Sequence, residues 1–439
     1  PVYYSTLILI YWRPIMANNF DSNITRPLAK VFLEKFDSER VLTKNVDTQL
    51  LTGRFDPSTG ETVDFKRPTD YKSIRTAAGD ISSATKDDII TGKASGVVQD
   101  YFTVFVDFKE ANEALKMDQL DQLLAPMATR IKTDLELDFA KFMMNNSGLK
   151  SGTAGTAVTT WDHVAAAGAL MQSSGVPMDA PWCAAVNPFV QIALASNQRS
   201  LGGETGESGA NKMATITDNF AGLSVKSCTT LASYTTGAGS DRTGAVNGAP
   251  TATYLAAKDT MTQDITVDAF QANLVIAAGE TVTVTAASGA INRLNLSTRQ
   301  PIIGSAGAAV LWTGTVTQTV TLNGSGAGTL KVTGPAIFEA AGQYNTVSQV
   351  IADNDVIVLG GAASTLIQPN LAWHRQAFSM GSVPIEKLYS TDTVATTEDG
   401  LQFRISKGVG FEQNVQKIRI DFRPAYGVMN PLFATQFFG

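Results

Sequence analysis

The sequence predicts an α+β protein with an all-β domain set into the middle of the chain. Three observations predict it. Residues 229–340 hold only eleven charged residues in 112, roughly 10% against 17% for the whole chain, and that span carries repeated short strand signals. Apolar residues at helical spacing (Ile131, Leu135, Phe139, Phe142 and Met143) mark one long amphipathic helix upstream. Mixed helix and strand patterns flank the charge-poor stretch on both sides, so it reads as an insertion.

Taken in order, the elements begin with an odd segment. Residues 1–15 read PVYYSTLILIYWRPI. The apolar run Thr6–Trp12 is too short to span a bilayer, and it lacks the basic start and small-residue cleavage site of a signal peptide. Met16-Ala17 has the pattern of a translation start. We expect the natural product to begin there, with residues 1–16 a non-native or disordered extension. Leu28, Val31, Phe32 and Phe36 suit a short amphipathic helix. Leu50–Phe55 and Glu61–Lys66 are strand-like and flank the turn formers Asp56-Pro57-Ser58-Thr59-Gly60, a hairpin signal. Arg54, Asp64, Lys66 and Arg67 charge this ribbon. Such a ribbon has little core of its own and should lie on another surface.

Val97–Phe108 is expected to be a strand. The long helix should run over Pro126–Asn145, starting or bending at Pro126 and ending at Asn145-Asn146-Ser147-Gly148. Residues 151–228 look α/β: helix at Val164–Met171, strand at Ala184–Val186, helix at Pro188–Ala195, and strand at Leu223–Val225. Leu201–Lys212 is a Gly-rich polar loop. In the charge-poor stretch and just beyond it, strands are expected at Asp264–Val267, Thr281–Thr285, Val316–Leu322, Thr329–Val332 and Val356–Leu359, in a small barrel or sandwich. A helix near Pro369–Met380 and strands at Leu401–Ser406 and Gln416–Phe422 should follow. The apolar ending Phe437-Phe438-Gly439 should be docked, as such termini often are on a partner.

Composition closes many functional classes. With two Cys and two His in 439 residues, zinc clusters, iron–sulfur sites and a disulfide framework are nearly excluded. A net charge of −6 argues against a dedicated nucleic-acid binder, which needs a basic stripe. Gly324–Gly328 resembles a phosphate loop but lies between Thr-rich strands, so it reads as a turn. Cys183 with His163 would be a nucleophile and base without an orienting third group. Cys183 and Cys228 read as small buried hydrophobes, and His374, between Trp373 and Arg375, as a packed or capping residue. Asp353 and Asp355 belong to a turn rather than a calcium loop. No constellation survives as catalysis, and no cofactor or metal is called for.

Several segments together resemble a known family. They are Met16–Asn23, Val63-Asp64-Phe65-Lys66-Arg67-Pro68, Thr133-Asp134-Leu135-Glu136, Phe142–Asn146, Ile276–Val282, Pro369–Phe378, Asn414-Val415-Gln416-Lys417 and Gln436–Gly439. In order and spacing they are similar to the major capsid proteins of tailed double-stranded DNA phages. More specifically, the chain resembles coat proteins of short-tailed enterobacterial phages that carry an inserted β-barrel domain.

The resemblance implies a Hong Kong-phage-type capsid fold. Residues 17–48 would be the N-arm, 49–76 the extended loop and 77–150 the peripheral domain with its spine helix. The axial domain would take 151–228 and 361–400, the insertion barrel 229–360, and the C-terminal peripheral strands 401–439. It implies pentamers and hexamers of the chain in an icosahedral shell, with a scaffolding protein, a portal protein and non-specifically held double-stranded DNA as partners, and no membrane. The place of action would be the virion, after synthesis in the bacterial cytoplasm. Candidate inter-subunit contacts are Arg54, Asp64, Lys66 and Arg67 in the ribbon. Asp241 and Arg242 join them, in the polar excursion Gly239–Gly244 of the insertion. The competing readings are another virion structural protein, a secreted β-rich adhesin, and a hydrolase with an inserted β-domain.

Overall fold

A computed structural model describes residues 40–48, 62–83, 88–109, 120–180, 182–200, 216, 219–286, 289–340, 342–387, 392–397, 399–410 and 415–439. The expected helix near Leu28–Phe36, the first arm of the 50–66 ribbon with Arg54, and the Gly-rich loop 201–212 lie outside the described residues.

Helix α1 spans Leu120–Asn145, about 39 Å at 1.5 Å per residue. It does not begin at Pro126: it runs through it. Met127, Ala128, Ile131, Leu135, Phe139, Ala140, Met143 and Met144 are buried along one stripe, the pattern of a helix seated on a core. Two sheets take part in that core. In the first, Thr393–Thr396, Gln402–Gly410, Val415–Phe422 and Phe102–Lys109 pair antiparallel in that order. Its strands alternate, so Phe403, Ile405, Ile418, Ile420 and Phe422 join the core with α1. In the second, the order is Thr62–Lys66, Lys93–Val98, Pro424–Val428, Phe378–Ser382. The single strand expected over 97–108 is therefore two strands in two different sheets. The chain turns between Val98 and Phe102, where Gln99 donates its N–H to Pro424 O.

A six-stranded mixed sheet has the order Leu149–Ser151, Ala434–Phe437, Asn370–Trp373, Trp182–Val186, Leu223–Ser227, Asn219–Phe220. Both of its faces are covered. Cys183 and Ala185 point to the α1 core, whereas Trp182, Ala184 and Val186 point to helices α2 (Trp161–Ser173) and α3 (Pro188–Ser200). This sheet corrects two expectations. The region 369–380 is not a helix but strand, 3-10 turn and strand. Asn370–Trp373 is buried on both faces, so its apolar run carries no period that separates strand from helix. The last strand, Ala434–Phe437, belongs here and not with the strands of residues 402–428. Phe437 and Phe438 dock onto their own chain.

Between Leu223–Ser227 and Asn370–Trp373 the chain builds a small closed barrel. Thr281–Ala286 pairs with Thr313–Val316, then follow Gly328–Thr333, Thr262–Asp268, Thr243–Val246 and Val356–Leu359, which pairs back onto Thr281–Ala286. Every pairing in the ring is antiparallel. Ile265, Val267, Val282, Val284, Trp312, Leu330, Val332 and Ile357 fill its interior. The expected strand Val316–Leu322 is broken: Thr313–Val316 stays in the ring and Val320–Thr321 pairs outside it with Val275–Ile276. Tyr234–Thr235 and Leu366–Ile367 pair antiparallel where the chain enters and leaves this region.

The barrel is fixed to the C-terminal end of α1. The last carbonyls of a helix have no partner within it and carry the negative end of its dipole. Just beyond the helix end at Asn145, Thr315 Oγ1 donates to Ser147 O at 2.6 Å, and Arg293 Nη2 donates to Gly148 O at 3.2 Å and to Thr313 O at 2.5 Å. Gln436 Nε2 donates to Met144 O at 2.8 Å and to Gly279 O at 3.2 Å. Arg293 is buried, and that burial pushes its guanidinium down to about 10.

Candidate assembly surfaces

The six residues singled out for contact with neighbours meet different fates. Lys66 is exposed at the end of Thr62–Lys66, the outermost strand of its sheet among the described residues. Asp64 is exposed on the same strand, paired with Lys93 at 2.8 Å and accepting from Ser95. The Lys93 and Ser95 hydrogen bonds hold its carboxyl below the usual carboxylate value. Asp241 is exposed and caps Thr243 N at 3.0 Å. Arg54 lies outside the described residues.

Arg67 and Arg242 are buried within the chain. Arg67 is buried against its own chain and donates to the carbonyls of Lys93, Val428 and Met429. Arg242 is buried at the barrel and ion-paired with Glu280. Burial raises the Glu280 carboxyl above its usual value although the Arg242 charge and the Ala277 N–H oppose the shift. The Gly239–Gly244 segment is not an excursion. A side chain at Gly244 would meet the Phe270 ring, and one at Gly239 would meet Leu274. In a domain this poor in charge, the one arginine of that segment is used for an internal pair.

Three polar clusters were not anticipated. Glu136, buried on α1, accepts from Leu42 N at 2.9 Å and from Thr43 N at 3.0 Å, and also from Thr43 Oγ1. This ties the segment Arg40–Val46 to the long helix. A legible signal existed: Lys132 and Glu136 fall inside the apolar stripe of α1. Asp421 accepts from Arg404, Arg419 and Thr103 on one sheet. Burial alone would raise the Asp421 carboxyl; the three hydrogen bonds outweigh it and hold the group below 3.8. Finally, Asp70 is ion-paired with Arg299, and Gln343 lies beside it. Nothing in the local sequence marks Gln343 out.

Residues 67–83 carry no regular secondary structure, and most are exposed. Tyr71, Ile74, Ile81 and, further on, Ile89 are large apolar side chains on the surface, Ile89 74% exposed. Phe189 and Ile192, one turn apart on α3, form a second exposed apolar pair. Lone exposed hydrophobes are ordinary, and several on one segment without regular structure stand out against that background.

The groups that might have carried catalysis are scattered and locally occupied. His163 Nδ1 accepts from Thr159 N at 3.3 Å. His374 is buried, caps the 3-10 turn through Gln376 N and bonds Asp179 at 2.9 Å. Cys183 and Cys228 are free and buried, and burial pushes both thiols up. Sheet register sets Cys183 opposite Ser224, with Cys228 beyond the Val186–Ser227 pair, so the two thiols lie at opposite ends of their strands. Gly324–Gly328 is a turn in which Asn323 Oδ1 accepts from Ser325 N and Ala327 N, each at 2.9 Å. Among the described residues no group of three or more His, Cys, Asp and Glu could hold a metal ion, and no helix is long and apolar enough to cross a membrane.

Comparison with known proteins gives this surface its context. A family model described as "P22 coat protein - gene protein 5" matches residues 16–439. A protein named major capsid protein, from Acyrthosiphon pisum secondary endosymbiont phage 1, is 35% identical over 430 residues, 97% of this chain and 100% of that one. Among solved structures, one from Mycobacterium phage Che8 aligns with a TM-score of 0.45 and 11% identity, covering 91% of this chain and 90% of that chain. A capsid structure of the cyanophage P-SCSP1u aligns with a TM-score of 0.39 and 11% identity, covering 86% of this chain and 83% of that chain. The chain belongs to the P22 coat protein family, and its role is structural rather than enzymatic.

Proposed function

We propose that many copies of this chain tile a closed icosahedral shell of pentamers and hexamers around double-stranded phage DNA. The observation that carries the reading is the match to a coat-protein family over residues 16–439, joined to 35% identity with a phage major capsid protein over its whole length. On this reading the fold is of the Hong Kong-phage type, α1 is the spine helix, and the barrel is a domain inserted into the axial domain. A scaffolding protein and a portal protein assist assembly in the bacterial cytoplasm, and the DNA is held without sequence preference.

The physics of such a shell is many modest contacts made at once. Rings require head-to-tail interfaces that close, and simultaneous contacts multiply rather than add. An exposed ion pair contributes about 0–1 kcal/mol, so no single pair dominates. Lys66, Asp64 and Asp241 are the exposed candidates, and Arg54 stays a candidate from the sequence; Arg67 and Arg242 are buried within their own chain. The test is electron microscopy of the protein expressed with its neighbouring phage genes. Closed shells of uniform size are expected. Reversing Arg54 and Lys66 together should impair their formation while the monomer stays folded. A wild-type chain that stays monomeric throughout would overturn the reading.

A further inference from the structure

The strands Thr62–Lys66 and Lys93–Val98 pair, and the chain between them forms an excursion from this sheet. Both limbs of this excursion are held at their base by one short segment beside the barrel. Gln343, itself buried, donates through Nε2 to Asp70 O at 3.0 Å and to Asp88 O at 2.9 Å. Its neighbour Tyr344 donates from its hydroxyl to Ile90 O at 3.3 Å, and the same oxygen accepts from Asp70 N at 3.3 Å. The Tyr344 ring stacks on Tyr254 with centroids 3.7 Å apart. Arg299 completes the set: it is ion-paired with Asp70 and donates to Asn345 O at 2.9 Å.

The chemistry suits this residue type. A glutamine amide has two N–H groups on one nitrogen, and here each meets a carbonyl from a different limb. Glutamate offers no donor in its charged form, leucine offers none, and asparagine is one methylene shorter. Beyond the clasp, residues 71–83 are exposed and carry Tyr71, Ile74 and Ile81 outward. A loop whose limbs are unpinned samples many arrangements, and ordering it would weaken any contact it makes. Pinning the base beforehand removes that cost from the binding step.

We propose that Gln343 is a positioning residue that buckles the limbs at Asp70 and Asp88 together, so that the barrel region sets how residues 71–83 are presented to a neighbouring copy. The second half rests on the shell reading; the first half does not.

The experiment therefore reads the two halves separately. Unassembled full-length protein carrying Gln343→Leu, and separately Gln343→Asn, is compared with wild type by trypsin cleavage at Lys72 and Arg75 and by hydrogen exchange over residues 71–83. Loss of both bonds should speed cleavage about fivefold and raise exchange across the loop, with the thermal unfolding of the barrel nearly unchanged. Gln343→Asn guards against a folding failure of the leucine variant, because it keeps an amide that is too short to span both limbs. Unchanged cleavage and exchange in a folded variant would overturn the buckle. Shell formation is then scored by electron microscopy. Faster cleavage with slower or misshapen assembly supports the whole proposal. Faster cleavage with normal shells overturns the presentation role and leaves the buckle standing. If wild type itself forms no shells, the shell reading fails while the cleavage result still decides the buckle.

Discussion

Glu136 Oε1 accepts the main-chain N–H of Thr43 at 3.0 Å, a bond that joins residues 93 positions apart in the chain. With the Leu42 N–H at 2.9 Å on the other carboxylate oxygen, it anchors the segment ending at Val46 on the middle of α1. Removing the acceptor leaves buried donors without partners, at about 1–3 kcal/mol each. Glu136→Ala should therefore lower stability by about 3 kcal/mol in urea denaturation, and Glu136→Gln by less. An alanine variant with an unchanged urea midpoint would show that the anchor carries no weight.

Arg293 joins the barrel to the segment just past α1 with no acidic partner among the described residues, through the carbonyls of Gly148 and Thr313. Arg293→Met keeps much of the volume and deletes the donors. Stability should fall by about 2–4 kcal/mol, and hydrogen exchange should rise at residues 147–151 before it rises inside the barrel. Uniform protection at both places would mean the junction is held by packing alone.

Asp421 gives a pH dependence of fixed sign. Its carboxyl is held below 3.8 in the folded chain, so the folded state favours its charged form. That stability is present above the unfolded value and is lost as pH falls through the lower folded value. Acid titration of wild type should show stability falling below about pH 4. Asp421→Asn should be less stable at neutral pH by about 3 kcal/mol, because Arg404 is left buried without its partner. The variant should also show a flatter acid limb.

Cys183 and Cys228 are buried, with thiols raised above their usual value, and thiolates are the reactive form. Native protein at neutral pH should resist iodoacetamide at both positions, and both should react once the chain is unfolded. Mass under reducing and non-reducing conditions should be the same. Rapid labelling of the native chain would place one thiol at the surface.

Asp64 and Lys66 allow a test that separates folding from assembly. Both lie exposed on the strand Thr62–Lys66, and Asp64 meets Lys93 in an exposed pair. Substituting Lys66→Glu should leave the thermal unfolding midpoint nearly unchanged while it impairs shell formation. A large drop in the midpoint would assign the strand to the core instead.

The sequence by itself determined the elements with a period and the classes of chemistry that are closed. The stripe of α1, the alternation of the strands 402–410 and 415–422 and the charge-poor run of the barrel follow from which residues must leave water. The rarity of His and Cys removed most metal and nucleophile chemistry before any coordinates were needed. The ordered motifs from Val63 to Gln436 supported the family likeness. Tertiary structure alone decided what lay outside any period. Asn370–Trp373 is a strand because the sheet buries both of its faces, a fact its own apolar run does not encode. Arg67 and Arg242 turned inward because their acceptors, Val428 and Glu280, sit far along the chain. Gln343 reads as an ordinary loop glutamine until Asp70 and Asp88 arrive on either side of its amide. A side chain's partners are set by where distant segments meet, and a local pattern holds no record of that meeting.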